Sequence, residues 1–194
     1  TSPAQEWRSY LGDPGFQHAS PLAQIDATNV SQLQEVWRYD AGGAGADGST
    51  QMQCSPIVVK AVLYCTSPRL AVFALDAASG STGRPVASFG DNGKVDLHEG
   101  LAPQFADAAV IATTPGSVYQ NLLIIGSRVN EFKGAAPGHI RAFDIISGSL
   151  RWVFHTIPRP GEYGADTWPE GAWDRAGGAN SWAGIAVDHE RGLA

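Results

Sequence analysis

The chain has 194 residues, with 13 Lys and Arg against 19 Asp and Glu, a formal net charge of -6. That balance excludes a nucleic-acid footprint, which needs a basic stripe to neutralise phosphate. Charged residues make up 16% and hydrophobic residues 43% of the sequence, so charge-driven disorder is excluded too and a sizeable core can form.

No apolar run approaches the ~20 residues that cross a bilayer. The opening Thr1-Ser-Pro-Ala-Gln-Glu-Trp7 lacks the charged and apolar regions of a signal peptide, which leaves a cytoplasmic chain or a processed one. Val30, Leu33 and Trp37 stand three and four residues apart and predict one short helix or turn within Asn29 to Trp37. Gly43-Ala-Gly-Ala-Asp-Gly48 fits the dinucleotide-binding pattern, but strands and a proline follow it where that pattern requires a helix. Cys54 and Cys65 have no C-x-x-C spacing and read as buried free thiols, with a bridge between them as the alternative.

Strand signals dominate the rest. Ser55 to Tyr64 reads as two short β-branched runs around Lys60-Ala61, and Leu122 to Gly126 and His139 to Asp144 read as further strands. Ser79-Gly80, Asp91-Asn-Gly93, Pro137-Gly138 and Ser147-Gly148 punctuate them as tight turns. Between Pro158 and Asp174 four carboxylates, Glu162, Asp166, Glu170 and Asp174, recur among Tyr163, Trp168 and Trp173. The prolines and glycines there forbid a helix that would put the four on one face, so the stretch reads as a long exposed loop. Its functional version is a lid at a channel mouth.

The decisive feature is repetition. Phe73-Ala-Leu-Asp-Ala-Ala-Ser-Gly80 recurs as Arg141-Ala-Phe-Asp-Ile-Ile-Ser-Gly148, and a degenerate echo, Ala186-Val-Asp188 with Gly192, keeps Ala, Asp and Gly in place. Leu150-Arg-Trp-Val-Phe154 then supplies a return strand. Strand, turn and return strand make part of a four-stranded blade, and blades around an axis make a β-propeller. The expected fold is therefore all-β, with successive sheets built on Ala74 and Ala142, Trp152 packed between sheets, and small Ala and Gly making room for an indole. Propellers have about four to eight blades of roughly 40 to 50 residues. This chain supplies about three and reads as the N-terminal part, residues 1–194, of a longer single domain.

Linked motifs resemble the pyrroloquinoline quinone (PQQ)-dependent dehydrogenases, the quinoproteins that oxidise alcohols, sugars and polyols. They are Glu6-Trp-Arg-Ser-Tyr-Leu-Gly-Asp13, His18 to Ile25, Asn29-Val-Ser-Gln-Leu33 with Trp37, Ser55-Pro-Ile-Val-Val59, Phe89-Gly-Asp-Asn-Gly-Lys-Val-Asp96, Arg141-Ala-Phe-Asp144, His155-Thr-Ile-Pro-Arg-Pro-Gly161 and Gly177-Gly-Ala-Asn-Ser-Trp182. The resemblance, strongest to the glucose and polyol branch, implies an eight-bladed propeller with PQQ and calcium on its axis. It places Gln53, Thr114, Arg128, Asn180 and Trp182 at the cofactor: Gln53 as a polar neighbour, Thr114 as a hydroxyl donor, Arg128 against the cofactor's carboxylates, and Trp182 as the indole floor with Asn180 beside it. Glu131 matches the calcium-ligating carboxylate, a hard anionic oxygen donor of the kind calcium takes. The catalytic base is expected beyond residue 194, so no catalytic residue is assigned. The chain departs from the family where Ser79-Gly80 runs straight into Thr82-Gly83, as though two units were fused across a deletion that removes a cofactor-site arginine.

The implied activity is hydride transfer from a small alcohol, sugar or polyol to PQQ, with calcium as Lewis acid and a quinone or cytochrome as electron acceptor. The implied compartment is the periplasm, with no transmembrane segment in this chain. The alternative is a non-catalytic propeller scaffold that binds a protein or a polysaccharide.

Overall fold

The structure, a computed structural model, describes residues 6–13, 15, 17–43, 52–68, 71–77, 83–113, 116–181 and 183–194. In chain order its strands are β1 Ile57–Val59, β2 Val62–Thr66, β3 Ala71–Asp76, β4 Lys94–Asp96, β5 Val110–Ile111, β6 Ser117–Tyr119, β7 Leu122–Ile125, β8 Arg128–Val129, β9 Ile140–Asp144 and β10 Leu150–Phe154. They form two antiparallel meanders, β1-β2-β3-β4 and β6-β7-β9-β10, and a two-stranded pair, β5 with β8. This is the all-β, blade-by-blade architecture that the repeat predicts.

Local chemistry sets each element. Lys60 and Ala61 both take positive φ, 48° and 61°, the geometry of a two-residue hairpin loop, and β1 and β2 pair on either side of it. Ala74 and Ala142 occupy the third strand of their respective sheets, each wholly buried, opposite Tyr64 and Ile124. The conserved spacing inside the repeat has a hydrogen-bond explanation. Asp144 Oδ1 accepts from the N–H groups of Ile146 and Ser147, and the Gly148 N–H returns to the Asp144 carbonyl. Asp188 makes the same set with Glu190, Arg191 and Gly192, so the degenerate echo is the same turn in a third unit. Gly148 and Gly192 close these turns at φ of 75° and 66°, which glycine adopts without steric cost.

The first sheet completes itself unusually. Its β3 edge is paired first by residues 84–86, through the Asp76 N–H to the Arg84 carbonyl and the Val86 N–H to the Ala74 carbonyl, and then by β4. The outgoing strand is thus assembled from two pieces with the turn 87–93 between them.

The two sheets share one core, in which Ile57, Val72, Ala74 and Val95 of the first pack with Val118, Leu123, Ile125 and Phe143 of the second. Polar contacts cross the same seam. The Tyr64 hydroxyl donates to the Ile145 carbonyl at 2.6 Å and the Gly90 N–H to the Ser147 carbonyl at 2.8 Å, while Thr66 Oγ1 ties the first sheet to the end of β5 through the Ala112 carbonyl at 2.9 Å. The fully buried Arg141 guanidinium donates to the Leu97 carbonyl and to that of Glu99. Burial pushes the Tyr64 hydroxyl up to about 12, with Asp144 adding to the shift.

Three expectations need correction. Trp152 does not pack between the sheets: β10 is an edge strand and the residue is 38% exposed. Indole-on-glycine packing occurs instead at Gly83, where a Cβ would collide with the Trp37 ring. Cys54 and Cys65 are bridged, with Cα atoms 6.0 Å apart, because the β1–β2 register sets them diagonally on one face of the hairpin. The short helix or turn expected within 29–37 is present as a 3-10 turn, Val30–Gln32, with Trp37 outside any regular element. Conversely, a four-residue helix, α1 Ala172–Arg175, forms in the Pro/Gly-rich stretch, starting after Gly171 in left-handed conformation; it carries Asp174 alone of the four carboxylates.

Gly148 tests the seam. A Cβ there would sit 2.6 Å from the backbone nitrogen of Gly90 in the other sheet, in addition to the left-handed φ. Gly161 has φ of 88° with nothing near its missing Cβ. Gly148→Ala is expected to cost about 2 to 4 kcal/mol in urea unfolding and Gly161→Ala about 1 to 2 kcal/mol. Equal losses would show that close approach of the sheets is not what the repeat glycine serves.

Candidate functional site

The β5–β8 pair and the loops after it open onto a cleft of about 990 Å³. Gln53, just ahead of β1, Arg128 of β8 and Glu131, two residues past β8, all line it. Three of the six candidate residues, far apart in sequence, thus meet at one cleft. Thr114 and Trp182 lie outside the described residues, but their neighbours Thr113 and Ala183 both line the same cleft. The glycine-rich pattern at 43–48 also runs into residues outside the description.

Asn180 stands behind the cleft wall. Its side-chain amide accepts from the Val129 N–H at 2.7 Å, donates to the Val129 carbonyl at 3.2 Å, and donates to Glu131 Oε1 at 2.7 Å. Tyr10, Thr113 and Asn130 line the cleft without having been singled out. Tyr10 had a usable signal, its place in the opening Glu6 to Asp13 motif; Asn130 had only its adjacency to Glu131.

The cleft sets a guanidinium and a carboxylate on one wall. Arg128 is exposed, and among the described residues its guanidinium has no hydrogen-bond or ion-pair partner, so its donor fork is free for a carboxylate. Glu131 presents an exposed carboxylate with one oxygen held by Asn180. Among the described residues no three His, Cys, Asp or Glu side chains form a metal nest. Glu131 by itself offers one hard oxygen donor of the six to eight that a calcium ion takes.

A second, shallower hollow of about 380 Å³ shares Glu131 and is walled by Phe132, Lys133 and α1 residues Ala172 and Arg175. The long loop therefore ends beside the candidate metal ligand. Its start is pinned to the second sheet: His155 Nδ1 meets Glu162 Oε1 at 2.7 Å, and Glu162 Oε2 accepts from the Arg159 N–H. That backbone bond, and then His155, hold the Glu162 carboxyl below its ordinary range. The His155 ring packs edge-on to His139, centroids 4.7 Å apart. His139 is buried, and burial, followed by the positive charges of His155 and Arg159, depresses it to about 4.

A pH dependence follows from His139. Between its ordinary 6.5 and about 4, the unfolded chain binds a proton that the folded chain refuses. Stability from this residue is complete above that window and falls as pH drops through it, with a slope of up to ~1.4 kcal/mol per pH unit. Urea unfolding between pH 7 and 4 should show the slope in the parent and a flatter one in His139→Phe; the same slope in both would reject this assignment.

Comparison with known proteins places the geometry in context. The family described as PQQ: glucose/ethanol/alcohol dehydrogenase, beta-propeller domain, matches residues 7–82 and 80–194. The quinate/shikimate dehydrogenase (quinone) of Acinetobacter baylyi is 25% identical over 254 aligned positions, covering 94% of this chain and 31% of the relative. The quinohemoprotein alcohol dehydrogenase ADH IIB of Pseudomonas putida is 28% identical, covering 97% of this chain and 33% of its own length. A solved quinohemoprotein alcohol dehydrogenase from Pseudomonas putida, at 24% identity, superposes with a TM-score of 0.53 over 96% of this chain and 33% of that one, which supports the fold. This chain spans about a third of the length of these relatives. The two family matches meet at residues 80–82, and the first alignment is longer than the chain itself.

Proposed function

Because the chain belongs to the β-propeller family of PQQ-dependent glucose, ethanol and alcohol dehydrogenases, we propose that it is part of a quinoprotein dehydrogenase that oxidises a small alcohol, sugar or polyol. The carrying observation is the shared cleft, in which Gln53, Arg128 and Glu131 meet. When bound, PQQ would accept hydride from the substrate's C–OH carbon and calcium would polarise its carbonyl.

The chain's own residues hold and orient. Arg128 offers two parallel N–H bonds to a cofactor carboxylate, and Gln53 and Thr114 offer polar contacts to its ring system. Trp182 supplies a flat apolar face, and Glu131 an anionic oxygen to the calcium. The base that takes the hydroxyl proton is assigned to the part of the single propeller domain outside these 194 residues. A quinone or a cytochrome would serve as electron acceptor, the classes in keeping with relatives named as quinone-dependent and quinohemoprotein dehydrogenases. The Cys54–Cys65 bridge supports an oxidising compartment, and with it the periplasm.

Two measurements test this reading. In the full-length enzyme, Trp182→Ala should weaken PQQ binding by about 1 to 3 kcal/mol, in line with other aromatic stacking contacts, while Glu131→Ala should weaken calcium-dependent reconstitution of the apo-enzyme. If both variants reconstitute like the parent, the site is wrongly assigned. The 194-residue chain alone, supplied with calcium and PQQ, should show no dye-linked alcohol or sugar oxidation; turnover above a cofactor-only blank would place the base within these residues.

A further inference from the structure

Asn180 is built into the cleft wall in a way that cofactor contact does not explain. Its carboxamide meets both backbone polar groups of Val129, the N–H at 2.7 Å and the carbonyl at 3.2 Å, as a neighbouring strand's peptide group would. A third bond, at 2.7 Å, runs from its Nδ2 to Glu131 Oε1. One side chain therefore covers the free edge of β8 and orients the carboxylate two residues further on.

The surrounding backbone is shaped to admit this clamp. A Cβ on Gly138 would stand 2.8 Å from both the Asn180 Cα and its Oδ1, and one on Gly126 would collide with the Ser181 carbonyl. Segment 180–181 thus lies against bare main chain at two points, one before β8 and one before β9. Three bonds and two close approaches fix where Asn180 sits, and each of its amide atoms is spent on the strand or on Glu131.

We propose that Asn180 is a positioning residue that sets Glu131 for cation binding, acting through that carboxylate and through the Val129 backbone and making no direct contact with the cation. The proposal rests on the reading of Glu131 as a calcium ligand. Outer partners that orient a metal ligand change metal affinity about 10- to 100-fold when removed. Substituting Asn180 leaves the carboxylate in place but frees it to rotate out of the cleft.

The test is calorimetric titration of the full-length apo-protein with calcium, with PQQ present throughout, in the parent, Asn180→Ala, Glu131→Gln and the double variant. Asn180→Ala is expected to weaken calcium binding about 10-fold or more. In the Glu131→Gln background the same change should have no further effect, because residues acting as one unit give non-additive losses. Losses that add would mean Asn180 acts independently of Glu131, and parent-like binding by Asn180→Ala with weakened binding by Glu131→Gln would mean it does not act at all; either overturns the proposal. Parent-like binding by Glu131→Gln would instead remove the calcium reading, and the proposal with it. Should Asn180→Ala fail to fold, hydrogen exchange in the unmutated protein decides: protection of the Val129 amide relative to Asn130 supports the clamp, and equal exchange overturns it.

Discussion

The structure depends on the seam between its two sheets. Antiparallel sheets of three- to six-residue strands have too little apolar area to stand alone, and each buries one face only by lying against the other. The seam fixes their relative placement with directional bonds. Tyr64 reaches the Ile145 carbonyl and Gly90 the Ser147 carbonyl, and both acceptors belong to the Asp144–Gly148 turn. The turn that closes one unit is therefore the surface on which the previous unit docks. A repeat with this property propagates, because each unit presents to the next what it received from the last.

That arrangement explains which parts of the sequence were legible. Ala, Asp and Gly of the repeat were readable because each answers to a local demand: no side-chain bulk in a buried third strand, a carboxylate to accept two turn N–H groups, and a positive φ. The hairpin at Lys60-Ala61 was readable from the β-branched runs flanking it. Trp152 misled because its packing depends on what stands beyond β10, which no local pattern encodes. The cysteine bridge was missed for a different reason: a diagonal relation across a hairpin becomes visible only when the register is counted outward from the turn, and an eleven-residue separation by itself says nothing.

At the cleft the division is similar. Glu131, Arg128 and Gln53 were singled out by the family resemblance, and the structure sets all three on one cleft although Gln53 precedes the first strand. The clamp by Asn180 was not legible as such. A side-chain amide that substitutes for a strand edge leaves no periodicity, and its partners are backbone atoms whose identity the sequence does not carry. Tyr10 was passed over because its motif pointed to a family and not to a contact.

The first sheet shows that a strand edge can be completed in two pieces. An outgoing strand is specified mainly by the exposed backbone groups of the strand it joins, not by its own side chains, since every N–H and carbonyl on a β3 edge must find a partner. Any extended segment delivered to that edge at the right register satisfies it. Here residues 84–86 and β4 do so in two pieces, on the far side of the junction at 80–82 where the family matches meet. Val95 of the recruited strand enters the shared core, and Gly90, in the turn between the pieces, makes the bond to Ser147 that docks the second sheet. The segment that completes the first sheet is thus also the one that attaches the second, so one stretch of chain serves both the strand edge and the seam.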